Sequence, residues 1–138
     1  MTERTVILIK PDGIEKHIIG KIIDRFETAG FKVVALKMVR LTQAILDVWY
    51  AHHKDKPFFP SLSAQMMSTP VVAFVLEGEG AIAKAFDICG PTDPAEAAAG
   101  TIRRDLGTDK PRNVVHRSDS AEAAAREIGI LFTPEELY

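Results

Sequence analysis

The chain has a single cysteine, Cys89, among its 138 residues. One thiol cannot close an intrachain disulfide, and cysteine scarcity suits a reducing compartment. No apolar run approaches the ~18 residues of a membrane span. Met1-Thr2-Glu3-Arg4 leads straight into a strand pattern, unlike a signal peptide. Positive charge is not in excess: 17 Lys and Arg against 19 Asp and Glu give a formal −2. No overall basic field therefore argues for nucleic acid as a partner. The glycine fingerprint of a dinucleotide fold is missing. A P-loop is excluded too, because six residues separate Gly13 from Gly20 where four are needed, and Ile22 follows Lys21 in place of Ser or Thr. No Cys, His, Asp or Glu set has metal-ligand spacing; His52 and His53 are adjacent and diverge on a helix. Repeats, low-complexity tracts and linkers are absent. The default expectation is then a cytoplasmic protein with one domain over residues 1–138, long enough to bury roughly 70% of its unfolded surface. Cys89 reads as a small buried apolar residue.

What is present is a regular alternation of apolar patterns. Residues 5–9 form a buried-type strand, stopped by the turn Lys10-Pro11-Asp12-Gly13. Ile14, Ile18, Ile19, Ile22, Ile23, Phe26 and Ala29 recur at helical spacing until Gly30. Residues 31–39 are a second strand. Thr42 caps a helix carrying Leu46, Trp49, Tyr50 and His53 along one face. A loop over 54–60 and a short helix over 61–67 follow, then a third strand over 71–77 with its turn at Gly78-Glu79-Gly80. Residues 81–89 read as a helix and 90–94 as a break. The stretch 95–110 is mostly without pattern, apart from a turn of helix near 102–106. Residues 113–116 are the fourth strand, 120–128 the last sizeable helix, and 132–138 a surface wrap in which Pro134 opens a final turn. This order admits a parallel doubly wound sheet or a split β-α-β arrangement. Four strands are few for the first, so the expected class is α+β: a four-stranded antiparallel sheet with helices packed on it. Phe59, Leu62 and Met66-Met67 look exposed beside the proline loop, which predicts a surface covered by a neighbouring subunit.

Chemistry concentrates between Arg112 and Ser120. Val114-Val115 delivers His116 to a strand end, and Ser118, Asp119 or Ser120 can cap the following helix, with Glu122 at capping-box spacing from Asp119. His116 is therefore expected beside the N–H groups of a helix start, where negative charge is favoured. Polar residues at other element ends are Lys10, Tyr50, Thr92, Arg103, Arg112 and Asn113. Taken singly, each reads as a surface group; Lys10 stands out because it finishes an apolar strand before a tight turn.

Five segments, in order, resemble the motifs of the nucleoside diphosphate kinases. They are Lys10-Pro11-Asp12-Gly13, Asp55-Lys56-Pro57-Phe58-Phe59, Gly90-Pro91-Thr92-Asp93-Pro94, Gly100-Thr101-Ile102-Arg103, and Asn113-Val114-Val115-His116 with Ser118-Asp119-Ser120. The resemblance runs from Arg4 to about Tyr138. It implies a ferredoxin-like sandwich and transfer of the γ-phosphoryl group of a nucleoside triphosphate to a nucleoside diphosphate, through a phosphohistidine on His116. Carried over by position, Lys10 and Asn113 would contact ribose hydroxyls and phosphate oxygens, and Thr92 and Arg103 would hold the β- and γ-phosphates. Tyr50 would support Lys10, His53 would lie near the α-phosphate, and Phe58 would stack on the base. Glu127 would take the proton of the other imidazole nitrogen, and Ser118 would orient Glu127. Mg²⁺ would arrive with the nucleotide, and the family's homo-oligomers are tetramers or hexamers. Three positions depart from the family pattern. Phe86 stands where a phosphate-binding arginine is usual, Arg117 follows the histidine where Gly or Ala is usual, and Lys110-Pro111 replaces an apolar residue and glycine opposite the base. Two other readings stay open at this point: a catalytically weak nucleotide-binding relative, and a generic ferredoxin-like binding module. Arg117, adjoining His116, is the expected substitute for the cation missing at Phe86; Arg104 and Lys84 are the other nearby cations.

Overall fold

The structure, a computed structural model, describes residues 2–138. Four strands, β1 (Thr2–Ile9), β2 (Lys32–Val39), β3 (Val71–Glu79) and β4 (Val115–Arg117), form one sheet in the order β2-β3-β1-β4. Every pairing is antiparallel, as expected. The two central strands, β1 and β3, carry apolar, largely β-branched residues on both faces because helices cover both sides. On one side, Ile7, Ile9, Phe74 and Leu76 pack against α2 (Ile19–Thr28) and α5 (Ala81–Cys89) through Ile22, Phe26, Ala81 and Ala85. On the other, Val6, Leu8, Ala73 and Val75 meet α3 (Gln43–Trp49), α4 (Phe59–Met67) and α7 (Ala121–Leu131) through Leu46, Trp49, Met66 and Leu131. No helix among the described residues is long and apolar enough to cross a membrane.

Several expected boundaries move, each for a tertiary reason. The single helix expected from Ile14 to Ala29 is two: α1 (Pro11–Glu15) and α2, separated at His17, whose φ is 60°. Gly13 holds α1 against the strand ends, since a Cβ there would stand 2.8 Å from Ile9 Cγ2 and 3.1 Å from the Val114 carbonyl oxygen. A straight helix cannot both sit there and lie across the sheet as α2 does. β3 continues through the expected turn, with Gly78 and Glu79 pairing with Glu3 and Thr2; the reversal falls on Gly80, at φ 58°. Helix α3 ends at Trp49, so His53 lies in a run of turns, its N–H donating to the Tyr50 carbonyl at 2.8 Å. Phe59 starts α4 and is buried, as is Met66, with Leu62 and Met67 packed beside them. The surface expected there for a neighbouring subunit is this subunit's own core. Among the described residues the exposed large apolar side chains are Leu36 and Met38 on the edge strand β2, with Val48, Phe58, Phe86 and Tyr138 elsewhere.

Candidate active site

The end of β1, the turns after α3 and the segment before β4 meet at one cleft. Lys10, the residue after β1, is buried, and its backbone N–H donates to the Val114 carbonyl at 2.8 Å. Its Nζ donates to Asn113 Oδ1 at 2.9 Å and to the Pro111 carbonyl at 3.0 Å. Neither acceptor is charged. Burial pulls the Lys10 amine below its ordinary value; Asp12 opposes that shift and Arg103 adds to it. Asn113 Nδ2 donates in turn to the Thr92 carbonyl at 3.0 Å.

The strand expected over 113–116 begins only at Val115, because Val114 has a φ of 63°. The Val115 N–H donates to the Asn113 carbonyl at 2.8 Å, closing a three-residue turn around Val114. Asp12 Oδ2 accepts the Val114 N–H at 2.9 Å. The Lys10-Pro11-Asp12-Gly13 segment is thus more than a turn: its lysine, aspartate and glycine all engage the segment that leads into His116.

His116 pairs with Leu8 across the sheet and so faces α7. Its Nε2 lies 3.0 Å from Glu127 Oε1. The same oxygen accepts the Ser118 hydroxyl at 2.9 Å, and Ser118 Oγ accepts the Val6 N–H at 3.1 Å. An oxygen accepting twice makes Nε2 the proton-bearing nitrogen, leaving the Nδ1 lone pair free. Trp49 meets the imidazole edge-on, with ring centroids 5.1 Å apart. The expected contact with a helix start is corrected: Ser120 caps α7 through Ala123, and His116 meets that helix in its body, at Glu127.

Arg103 reaches in from α6 (Ile102–Leu106), donating from Nη1 to the Gly90 carbonyl at 3.0 Å and from Nη2 to the Val115 carbonyl at 2.8 Å. The Tyr50 hydroxyl is pushed up to about 12, by burial and then by the Glu127 charge, so it remains a donor at neutral pH. His53 and Phe58 stand at the mouth with rings 5.5 Å apart. At 45% exposure Phe58 is not a core residue. The cleft, about 270 Å³, is lined by Lys10, Tyr50, His53, Phe58, Thr92, Arg103, Asn113 and His116. It shares Phe58, Leu62, Thr92, Lys110 and Pro111 with an outer hollow of about 450 Å³ between α4 and the 110–111 segment. A larger hollow, about 690 Å³, lies elsewhere beside α2. It is lined by the Arg25–Asp105 ion pair at 2.9 Å and by neither His116 nor Lys10, so the smaller cleft is where those residues collect.

Ser118 and Glu127 stand behind His116. Phe86 is outside the cleft wall, half-exposed on α5. Arg112 is turned to the surface on Asp109, at 2.6 Å. Sequence reasoning passed over Asp12, Trp49 and the Pro111 carbonyl; the position of Asp12 between Lys10 and Gly13 was the available signal for the first. Burial pushes the Cys89 thiol up to about 11, which is not a nucleophile's setting. Among the described residues no group of three or more His, Cys, Asp or Glu is placed to hold a metal ion.

A free imidazole nitrogen with an ammonium and a guanidinium around one cleft defines a site for a phosphate-bearing ligand. A family model described as nucleoside diphosphate kinase matches residues 3–137. The nucleoside diphosphate kinase of Desulfatibacillum aliphaticivorans is 52% identical over 135 residues, covering 98% of this chain and 98% of that one. That of Pasteurella multocida is 53% identical over 136 residues, covering 99% and 98%. The crystal structure of the Aquifex aeolicus nucleoside diphosphate kinase superposes with a TM-score of 0.97 at 48% identity, covering all of both chains. A Halobacterium salinarum nucleoside diphosphate kinase solved in complex with CDP gives 0.96 at 41% identity, covering 100% of this chain and 92% of that one. The chain belongs to the nucleoside diphosphate kinase family. It is an enzyme with the family's ferredoxin-like α/β fold, and its substrates are nucleotides.

Proposed function

We propose that this enzyme moves the γ-phosphoryl group of a nucleoside triphosphate, typically ATP, reversibly onto a nucleoside diphosphate through a phosphohistidine on His116. The observation that carries this reading is the imidazole's orientation: Nε2 is tied to Glu127 at 3.0 Å, which leaves Nδ1 as the nitrogen available for attack. In the first step Nδ1 attacks the γ-phosphorus. An N–P bond forms, the bond to the β,γ-bridging oxygen breaks, and the diphosphate leaves with that electron pair. In the second step a terminal oxygen of the acceptor diphosphate forms the new P–O bond, the N–P bond breaks, and neutral imidazole returns.

The other residues take the roles that their positions support. Lys10 and Asn113 bind ribose hydroxyls and phosphate oxygens, Thr92 and Arg103 the β- and γ-phosphates. Tyr50 supports Lys10 as a neutral donor, and His53 lies toward the α-phosphate. Phe58 stacks on the base, and stacking accepts any base. Ser118 orients Glu127. Magnesium enters as part of the nucleotide substrate, held by phosphate and water oxygens. The enzyme works as one cytoplasmic domain over residues 1–138 in a homo-oligomer, a tetramer or hexamer. Leu36 and Met38, exposed on the edge strand β2, support the oligomer.

Incubation with γ-labelled ATP is the test. The wild-type chain takes an acid-labile label, and His116→Ala takes none while still binding ADP. Label retained by His116→Ala would place the phosphoryl group on another residue.

A further inference from the structure

Arg117 has no part in the reading above, yet it is buried on the strand that carries His116. Alternation along β4 sends His116 toward α7 and sends Val115 and Arg117 toward α5. Arg117 is only 8% exposed. Its guanidinium carbon lies 3.9 Å from the centroid of the Phe86 ring, and Nη1 donates to Asp119 Oδ1 at 3.0 Å. Its Nε is buried and has no partner.

Arg103, in the cleft wall, approaches the same strand and donates to the carbonyl of Val115, two residues before Arg117. Its Nε too is buried without a partner. Two buried guanidinium groups therefore attend one three-residue strand, each with an N–H directed at no acceptor. Arg117 bonds Asp119, whose side chain is 85% exposed and thus well screened. The two cations feel each other: burial is the largest cause lowering Arg103, and Arg117 adds to it. Buried like charges with unmatched donors are costly unless an anion joins them. The cleft beside Arg103 is where an anion can enter.

We propose that Arg117, carried on the ring of Phe86 outside the lining of the cleft, is a second phosphate-binding guanidinium that acts with Arg103, which does line it, on the terminal phosphates of the nucleotide. The ring holds the planar cation in place by stacking, so less side-chain freedom is lost when a phosphate arrives. This rests on the phosphohistidine reading for the identity of the ligand, but its test does not depend on turnover.

Titration calorimetry on the full-length protein compares ADP with adenosine, which lacks the phosphates. Arg117→Gly is expected to weaken ADP binding ten- to a hundredfold, as loss of a charge-assisted hydrogen bond does, and to leave adenosine binding within twofold. Arg117→Lys, which keeps the charge and loses the fork, should recover part of the ADP affinity. Phe86→Arg, which sets a guanidinium on α5 beside the same volume, should restore it in the Arg117→Gly background. Arg117→Gln is the second variant should glycine unfold the strand; it fills the buried space without the charge and carries the same expectation. Unchanged ADP affinity, an equal fall for ADP and adenosine, or strictly additive effects of the Arg117 and Phe86 changes would overturn the proposal. Failure of the phosphohistidine reading looks different: the wild-type chain would then take no label from ATP, whatever the ADP-to-adenosine ratio does.

Discussion

Replacing Glu127 with Gln tests how the protein prepares its histidine. One carboxylate oxygen receives both the His116 Nε2–H, at 3.0 Å, and the Ser118 hydroxyl, at 2.9 Å. In the phosphoenzyme proposed above, Nδ1 would carry the phosphoryl group while Nε2 keeps its proton; the ring would then be cationic, and the buried carboxylate would stabilise that cation more than the neutral ring. Glutamine preserves the size and one acceptor oxygen and removes the charge. The difference between a charge-assisted and a neutral hydrogen bond here is about 2 kcal/mol, or roughly thirtyfold in the rate of phosphoenzyme formation. Rapid-quench measurement with saturating γ-labelled ATP reads that rate directly. Glu127 lies behind the ring and outside the cleft wall, so ADP affinity should stay within twofold of wild type. Ser118→Ala leaves the charge and removes one of its donors, so its loss should be smaller, about 1 kcal/mol or fivefold. A Glu127→Gln rate equal to wild type, or a rate loss matched by an equal loss of ADP affinity, would refute the orientation argument.

Phe58→Ala should weaken binding of adenine, guanine and cytosine nucleotides alike, by about 1–3 kcal/mol for a lost stacking platform. At 45% exposure the ring contributes little to the core, so calorimetric Tm should hardly move. Tyr50 should titrate near pH 12, and Tyr50→Phe should remove that late phenolate absorbance. The folded chain keeps this proton well above the ordinary value of 10.0. Its contribution to stability is therefore complete below pH 10 and is lost as pH rises through about 12. Asp12→Ala leaves the Val114 N–H without its acceptor and should cost about 1–3 kcal/mol of unfolding free energy in a urea titration. Asp12→Asn, which retains an acceptor, should recover most of it.

Periodicity read the elements well where packing follows local pattern and poorly where packing interrupts it. Ile14 through Ala29 fit one helical stripe, and nothing local in that stripe marks His17 as a left-handed residue. The break comes from the demand that α1 lie against Ile9 and Val114 while α2 lies across the sheet. Phe59 and Met66 looked exposed because the proline loop before them is polar, whereas α4 turns them onto the β1–β3 face. The site was legible through the order of five motifs and hardly at all through single residues. Lys10, Arg103 and Asn113 each resemble surface groups in sequence, and each is buried by contacts with residues far along the chain: Lys10 to Asn113, Asn113 to Thr92, Arg103 to Val115. Trp49 satisfies an apolar helix face and packs on His116 at once, so its second contact left no trace in the pattern.

The residue that departs furthest from its sequence-based expectation is also the one that assembles the cleft. Val114 is β-branched and fully buried, and its left-handed backbone costs ~1–3 kcal/mol. That conformation persists because both of its peptide groups are pinned from outside. Its N–H goes to Asp12 at 2.9 Å and its carbonyl accepts from Lys10 at 2.8 Å, while the Val115 N–H closes back onto Asn113. A continuous strand over 113–116 would project Asn113 and His116 to opposite faces of the sheet. With the turn at Val114, the amide that anchors Lys10 and the imidazole that stands on Glu127 line the same cleft. The strain at one buried valine is what brings them together, and the lysine, aspartate and glycine that hold that valine sit within four consecutive residues at the end of β1.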